Sequence, residues 1–208
     1  MSLLSKFKST SPAQEVLRPI WMLLKSSYYR TVNPRDTLIS RRVGNDTLGG
    51  RSKLCLFVTY DVHGIIEEHV LHYLKEIRNN GFDIILISTS EELPEEQIAK
   101  VLPYTVEVMH RQNIGMDFAS WKMALDLLSG EMGRYQQLLL ANDSLFGPFG
   151  DLEPVFSRLN HMPQDFCGLT DNWEFEHHLQ SYFLLFKQRA LRSEAFRSFW
   201  DGVGIVPD

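Results

Sequence analysis

The sequence predicts an α/β protein, a Rossmann-like, mostly parallel sheet flanked by helices, preceded by an N-terminal amphipathic helical extension. Three observations carry this. Short apolar runs of strand length recur from Leu54 onward, segments with apolar residues at helical spacing separate them, and the alternation starts only after a basic, turn-rich opening segment.

The elements follow in order. Between Pro12 and Arg30, Leu17, Ile20, Trp21, Leu24 and Tyr28 fall at helical spacing beside Arg18 and Lys25, which makes a short amphipathic helix. Residues 31–52 lack periodicity and contain Asn-Pro, Gly-Asn and Gly-Gly turn signals, so they read as a linker or extended arm. A boundary near Lys53 therefore divides a basic extension, 1–52, from an α/β domain, 53–208. Leu54 to Tyr60 is a buried strand, and Ile66, Val70, Tyr73, Leu74 and Ile77 form one helical stripe closed by Asn80 and Gly81. Ile84 to Ser88 is the second strand. Pro94, Glu95 and Glu96 open a helix whose core face is Ile98, Val101 and Leu102. Thr105 to Met109 is a third strand, Phe118, Trp121, Leu125 and Leu128 give the next helical face, and Gln137 to Ala141 is a fourth, fully buried strand. A short helix, strands at 165–170 and 182–186, and an aromatic helix around Phe196, Phe199 and Trp200 complete the order.

Composition narrows the class. The 208 residues are 44% apolar and 23% charged, as in ordinary globular proteins, and no apolar run is long enough to span a bilayer. Cys55 and Cys167 sit in apolar runs without metal-type spacing, so they read as buried thiols. The net charge of −5 is uneven: residues 1–52 hold nine basic side chains against three acidic ones, a balance of +6 that leaves −11 for the rest. A negative α/β part disfavours nucleic acid as a partner, because a phosphate backbone demands a positive surface. The first residues lack the apolar core of a secretory signal, so a cytoplasmic location is expected. Trp21, Tyr28, Tyr29 and the basic balance add the expectation of peripheral contact with the inner face of the membrane.

In an open parallel sheet the ligand site lies beyond the carboxyl ends of the strands. The residues there are polar: Tyr60, Asp61 and His63 after the first strand, Ser88 and Thr89 after the second, Arg111 and Asn113 after the third, and Asn142, Asp143 and Ser144 after the fourth. A carboxylate at one strand end and an arginine at another suit a divalent metal and a phosphate bound together, hence a nucleotide-type ligand. Asn142 to Ser144 also read as turn formers before Gly147-Pro148, and Asp117 as the cap of a helix beginning at Phe118. Trp121 reads as core. His69 and His72 share a helix face expected to be solvated, with no third ligand near in sequence. No Walker loop, G-x-S-x-G elbow or early Asp-X-Asp is present, which disfavours a phosphohydrolase.

The phrases TYDVHGIIEEHVLHYLKEIRNNG, RQNIGMDFASWKMAL, LLLANDSLFGPF and LTDNWEFEHHLQSYFLLF resemble the rhamnan synthesis F family of bacterial polysaccharide biosynthesis, over about Leu54 to Trp200. The resemblance implies a GT-A-like fold and a glycosyltransferase. It would take a nucleotide diphosphate sugar as donor, a deoxythymidine diphosphate rhamnose in the name-giving members, and a growing lipid-linked or cell-surface glycan as acceptor. Such transferases carry Asp-X-Asp where this chain has Asn142-Asp143-Ser144, so Asp143 alone remains as ligand for Mg²⁺ or Mn²⁺. With the strand-end positions, the resemblance leads to Tyr60, Asp61, Arg111, Asn113, Gly115, Asp117, Asn142 and Ser144 as expected donor residues, and it implies His178 in a wall near the acceptor. Inverting transfer needs a base for the acceptor hydroxyl, and Asp171 is the first choice beside Glu174 and Glu176. The incomplete Asp-X-Asp keeps open a non-catalytic nucleotide- or glycan-binding domain of the same fold.

Overall fold

The computed structural model describes residues 32–44, 48–174 and 176–205, so the helix expected within 12–30 lies outside the described residues. Four parallel strands form the centre of a seven-stranded sheet: β2 (Lys53–Thr59), β3 (Phe82–Ser88), β4 (Glu107–Arg111) and β5 (Gln137–Asn142). With β1 (Leu38–Val43), β6 (Phe166–Gly168) and β9 (Phe183–Lys187), the order across the sheet is β1-β4-β3-β2-β5-β9-β6. β1 runs antiparallel to β4, and β9 antiparallel to both β5 and β6. A separate two-stranded ribbon pairs β7 (Asp171–Asn172) with β8 (His178–Leu179).

The central strands are apolar on both faces because helices cover both, so alternate residues feed two cores. Cys55 and Phe57 face α1 (Glu68–Asn79), α2 (Glu95–Val101) and α4 (Glu153–His161), packing among Leu74, Ile77, Val101 and Phe156. Leu54, Leu56 and Val58 face α3 (Met116–Leu127) and, past a short α5 (Gln188–Leu191), α6 (Glu194–Gly202), where Trp121, Ala124 and Trp200 meet them. α1 forms where its apolar stripe falls on one face and stops at Gly81, whose φ of +86° suits glycine. Trp121 belongs to the core, its indole Nε1 donating to Leu56 O at 3.2 Å.

Within residues 31–52, expected as a linker or extended arm, Leu38–Val43 join the sheet itself. A 3-10 turn, Pro34–Thr37, capped by the Asn33 side chain, leads into β1, which pairs along β4 from Leu38 opposite Arg111 to Val43 opposite Glu107. Its side chains are largely exposed, and Arg41 pairs with the buried Glu107. The third strand lies two residues later than its apolar pattern suggests: Thr105 and Val106 are buried, yet the paired strand begins at Glu107.

Candidate functional site

The chain runs outward from β2 to β3 to β4, then returns to the other side of β2 as β5. Between the carboxyl ends of β2 and β5 the strand order therefore reverses, the crevice where open α/β sheets bind ligands. A cavity of about 410 Å³ opens there. Tyr60 and Asp61 reach it from the end of β2, Glu67 and His69 from the start of α1, Asp117 from the first turn of α3, and Asn142, Asp143 and Ser144 from the end of β5.

Asn142 organises this edge. Its Oδ1 accepts from the Ser144 amide at 3.1 Å and the Ser144 hydroxyl at 2.7 Å, while its Nδ2 donates to Asp117 Oδ2. The turn expected at 142–144 is thus present, and it carries Asp143 at its tip. The Thr59 hydroxyl donates to Asp143 Oδ2. Burial pushes the Asp143 carboxyl above the usual aspartate range; the Thr59 bond and the charge of His69 oppose this, and the Asp117 carboxylate adds to it. Asp117 is likewise raised by burial and held down by its bond from Asn142. Asp61 is lowered, because its Oδ1 accepts the backbone N–H of Ile65 at 3.0 Å and of His63 at 2.8 Å. It therefore shapes the β2–α1 loop, in which Gly64 holds φ +66° against the Glu92 carbonyl.

Among the described residues, those lining the cavity include four carboxylates, Asp61, Glu67, Asp117 and Asp143, one imidazole, His69, and no lysine or arginine. Among the described residues no three carboxylate, imidazole or thiolate groups gather closely enough to hold a metal by themselves. Asp143 and Asp117 nevertheless fit a hard cation of the kind that keeps most of its waters and shares substrate phosphates, since only neutral groups, Thr59 and Asn142, donate to them.

Of the remaining expected donor residues, Gly115 caps α3 with φ +77°, where an added Cβ would lie 2.9 Å from Ala119 Cβ and 3.0 Å from Ile205 Cγ2. Because the helix starts at Met116, Asp117 is not its cap and is left to face the cavity. Asn113 is exposed in the β4–α3 loop. Arg111 corrects the expectation of a phosphate contact. It is 0% exposed, and its guanidinium donates to Thr37 Oγ1 at 2.9 Å, Ser120 Oγ at 2.7 Å, Ile114 O at 2.5 Å and Met116 O at 3.5 Å. The strand-end rule gave the correct edge for Arg111 and not the direction of its side chain.

Asp171 and His178 lie on the β7–β8 ribbon, and neither lines this cavity. Asp171 Oδ2 is 2.8 Å from His177 Nε2, and the Trp173 ring lies over His177 with centroids 4.5 Å apart. His177 and His178 line a second, largely apolar groove of about 750 Å³ with Phe118, Leu179, Phe196 and Trp200. The two concavities meet across the first turn of α3, where Asp117 faces one and Phe118 the other.

Sequence reasoning missed Thr59, Glu67 and His69. His69 lies in the first turn of the helix that follows β2, a place aimed at the ligand edge, and its ring meets Phe146 at a tilt of 35° with centroids 4.8 Å apart.

A family model described as rhamnan synthesis protein F matches residues 84–208. The protein y4gN of Sinorhizobium fredii, described as uncharacterized, is 23% identical over 213 residues, covering 90% of this chain and 55% of its own length. The virulence protein VirA of Vibrio anguillarum is 31% identical over 134 residues, 62% of this chain and 41% of its own. The chain thus spans about half the length of the curated relatives it matches. Among solved structures, a candidate nucleotide-diphospho-sugar transferase from Desulfovibrio desulfuricans G20 aligns with TM-score 0.45 and 14% identity, over 74% of this chain and 69% of that one. The glycosyltransferase GlyE of Streptococcus pneumoniae TIGR4 aligns with TM-score 0.41 and 14% identity, over 72% and 38%.

Proposed function

Because the chain belongs to the rhamnan synthesis protein F family, we propose that it is a glycosyltransferase moving a sugar, rhamnose in the first instance, from a nucleotide diphosphate sugar to a growing cell-surface polysaccharide. One observation carries the reading: the switch-point cavity presents Asp143 and Asp117 at a sheet edge, with no lysine or arginine among the described residues of its lining. A diphosphate is repelled by such a wall unless a cation enters with it, so the arrangement favours a phosphorylated ligand that arrives with a divalent metal.

In this reading Tyr60 and Ser144 border the donor, and Asn142 keeps Asp117 and the Asp143 turn in register. Asp143, with Asp117 beside it, would hold Mg²⁺ or Mn²⁺, and the ion would neutralise the diphosphate as it leaves. The acceptor oxygen bonds to the anomeric carbon as the bond from that carbon to the diphosphate oxygen breaks. Its proton goes to a base, for which we propose Asp171 paired with His177, while His178 borders the groove on the acceptor side. Location belongs to the same proposal. Among the described residues no helix is long and apolar enough to cross a membrane, and the Trp21, Tyr28 and Tyr29 stretch with its basic neighbours suits contact with an anionic membrane surface that displays a lipid-linked acceptor.

A second reading, a nucleotide- or glycan-binding domain without catalysis, is favoured by the absence of three converging metal ligands among the described residues. Thermal shift with a panel of nucleotide diphosphate sugars, with and without Mn²⁺, followed by turnover assays on the hits, separates the two. Metal-dependent stabilisation with release of nucleoside diphosphate supports the transferase, and stabilisation without turnover supports the binding domain.

A further inference from the structure

Arg111 is a buried cation without a carboxylate partner among the described residues. It is the last residue of β4 and is fully buried, and burial lowers its pKa to about 10. Leaving a charge in such a place costs several kcal/mol unless its donors are satisfied. Its acceptors come from two sources. Thr37 Oγ1, itself 1% exposed, belongs to the 3-10 turn before β1; Ser120 Oγ, Ile114 O and Met116 O belong to the β4–α3 loop and to α3.

That loop leads into the cavity lining at Asp117 and holds the non-glycine residue of positive φ found among the described residues. Gly115 has φ +77°, and Met116, which is not glycine, has φ +54°. A non-glycine residue in the left-handed region costs about 1–2 kcal/mol and persists only where its surroundings hold it. Arg111 supplies the hold: two of its donors grip the carbonyls of Ile114 and Met116 on either side of Gly115, and a third grips Ser120 one turn into the helix. The next residue after Met116 is Asp117, whose Oδ2 receives Asn142 Nδ2.

We propose that Arg111 is a positioning residue for the candidate site. Its guanidinium clamps the Ile114–Met116 turn so that Asp117 meets Asn142, and Thr37 completes the clamp from outside the 84–208 stretch that matches the family. Its importance for catalysis rests on the reading of the Asp143 cavity as the donor site, but the structural coupling stands apart from that reading and is tested without any donor.

The test is amide exchange and ¹⁵N NMR on the full 208-residue chain, comparing the parent with Arg111→Lys and Thr37→Val. Lysine keeps the charge but replaces the planar fork with one ammonium. Valine at position 37 removes the Arg111 acceptor, together with the bond that the Thr37 hydroxyl donates to Pro34 O at 2.6 Å, with little change of shape, and reports even where Arg111→Lys fails to fold. The backbone amides of residues 112–120 lose at least ~10-fold in protection, as expected for a lost bond to a charged group, and the Asn142 side-chain amide signal shifts and exchanges faster. The loss is larger for Arg111→Lys than for Thr37→Val, and peptides from β3 and α1 keep parent-like protection. Three results overturn the proposal: parent-like spectra in both variants, protection lost evenly through the sheet, or a loosened backbone with an unmoved Asn142 signal, which would leave Arg111 a purely structural residue. A parent protein that turns over no sugar nucleotide would overturn the transferase reading and leave this outcome intact.

Discussion

Asp143→Asn separates a turn former from a charge holder. Asparagine keeps the size of the side chain, can accept from the Thr59 hydroxyl, and suits the tip of the Asn142–Ser144 turn. What disappears is the negative charge. Turning a charge-assisted bond into a neutral one costs about 1 kcal/mol. Against that stands relief, because burial raises the Asp143 pKa, so that the ionised group weighs against folding. The sign is fixed by linkage: the penalty is absent below the ordinary carboxylate range, where folded and unfolded chains are both protonated, and develops as pH rises through the folded-state value. Asp143→Asn is therefore about as stable as the parent at pH 3 and within about 1 kcal/mol of it at pH 7, a melting shift under about 4 °C for a chain of this length. Function moves much further. On the proposed role of Asp143 as holder of a cation against the diphosphate, loss of its charge should reduce transfer at least ~100-fold, about 2.7 kcal/mol of transition-state stabilisation, and abolish most Mn²⁺-dependent donor binding. The assay is nucleoside diphosphate release with calorimetric titration of donor plus Mn²⁺. Parent-like turnover by Asp143→Asn, or full activity of the parent in excess chelator, would refute the reasoning.

Three further outcomes are expected. His69→Ala removes a charge that favours the ionised form of Asp143, so the acid limb of the pH–rate profile moves to higher pH; an unmoved limb would separate His69 from the site. Gly64→Ala places a Cβ 2.2 Å from Glu92 O at φ +66°, and should cost at least ~2 kcal/mol in denaturant titration while loosening the loop that presents Tyr60 and Asp61. In flotation with anionic liposomes the parent floats and a Trp21→Ala, Lys25→Ala variant does not; equal distributions would remove the membrane contact.

The buried strands were legible because both their faces are covered, which writes them as unbroken apolar runs such as Leu54–Val58 and Leu138–Ala141. β1 was not. LISRRV holds its place through backbone pairing with β4 and through ion pairs, while its side chains beyond Leu38 are exposed, so it leaves no apolar signature. The carboxyl-edge rule located Tyr60, Asp61, Asn142, Asp143 and Ser144 because the backbone alone carries those residues to the cavity. It failed for Arg111, whose long side chain folds back under the loop, and it overlooked His69 and Glu67, which arrive from the following helix start.

The reversal of β9 shapes how this architecture can diversify. A parallel strand would receive its chain from the amino edge of the sheet, but β9 runs the other way, so its first residues lie where β5 ends: Phe183 stands opposite Ala141, and the Tyr182 carbonyl accepts the Asn142 amide at 3.3 Å. Everything between β6 and β9, the β7–β8 ribbon included, is thereby an excursion that leaves and returns on the carboxyl side. Such an excursion can lengthen, shorten or exchange its side chains without altering a single rung of the central ladder. On the proposed transferase reading, acceptor choice and donor handling can then change independently, the first in the β7–β8 ribbon and the second at the ends of β2 and β5.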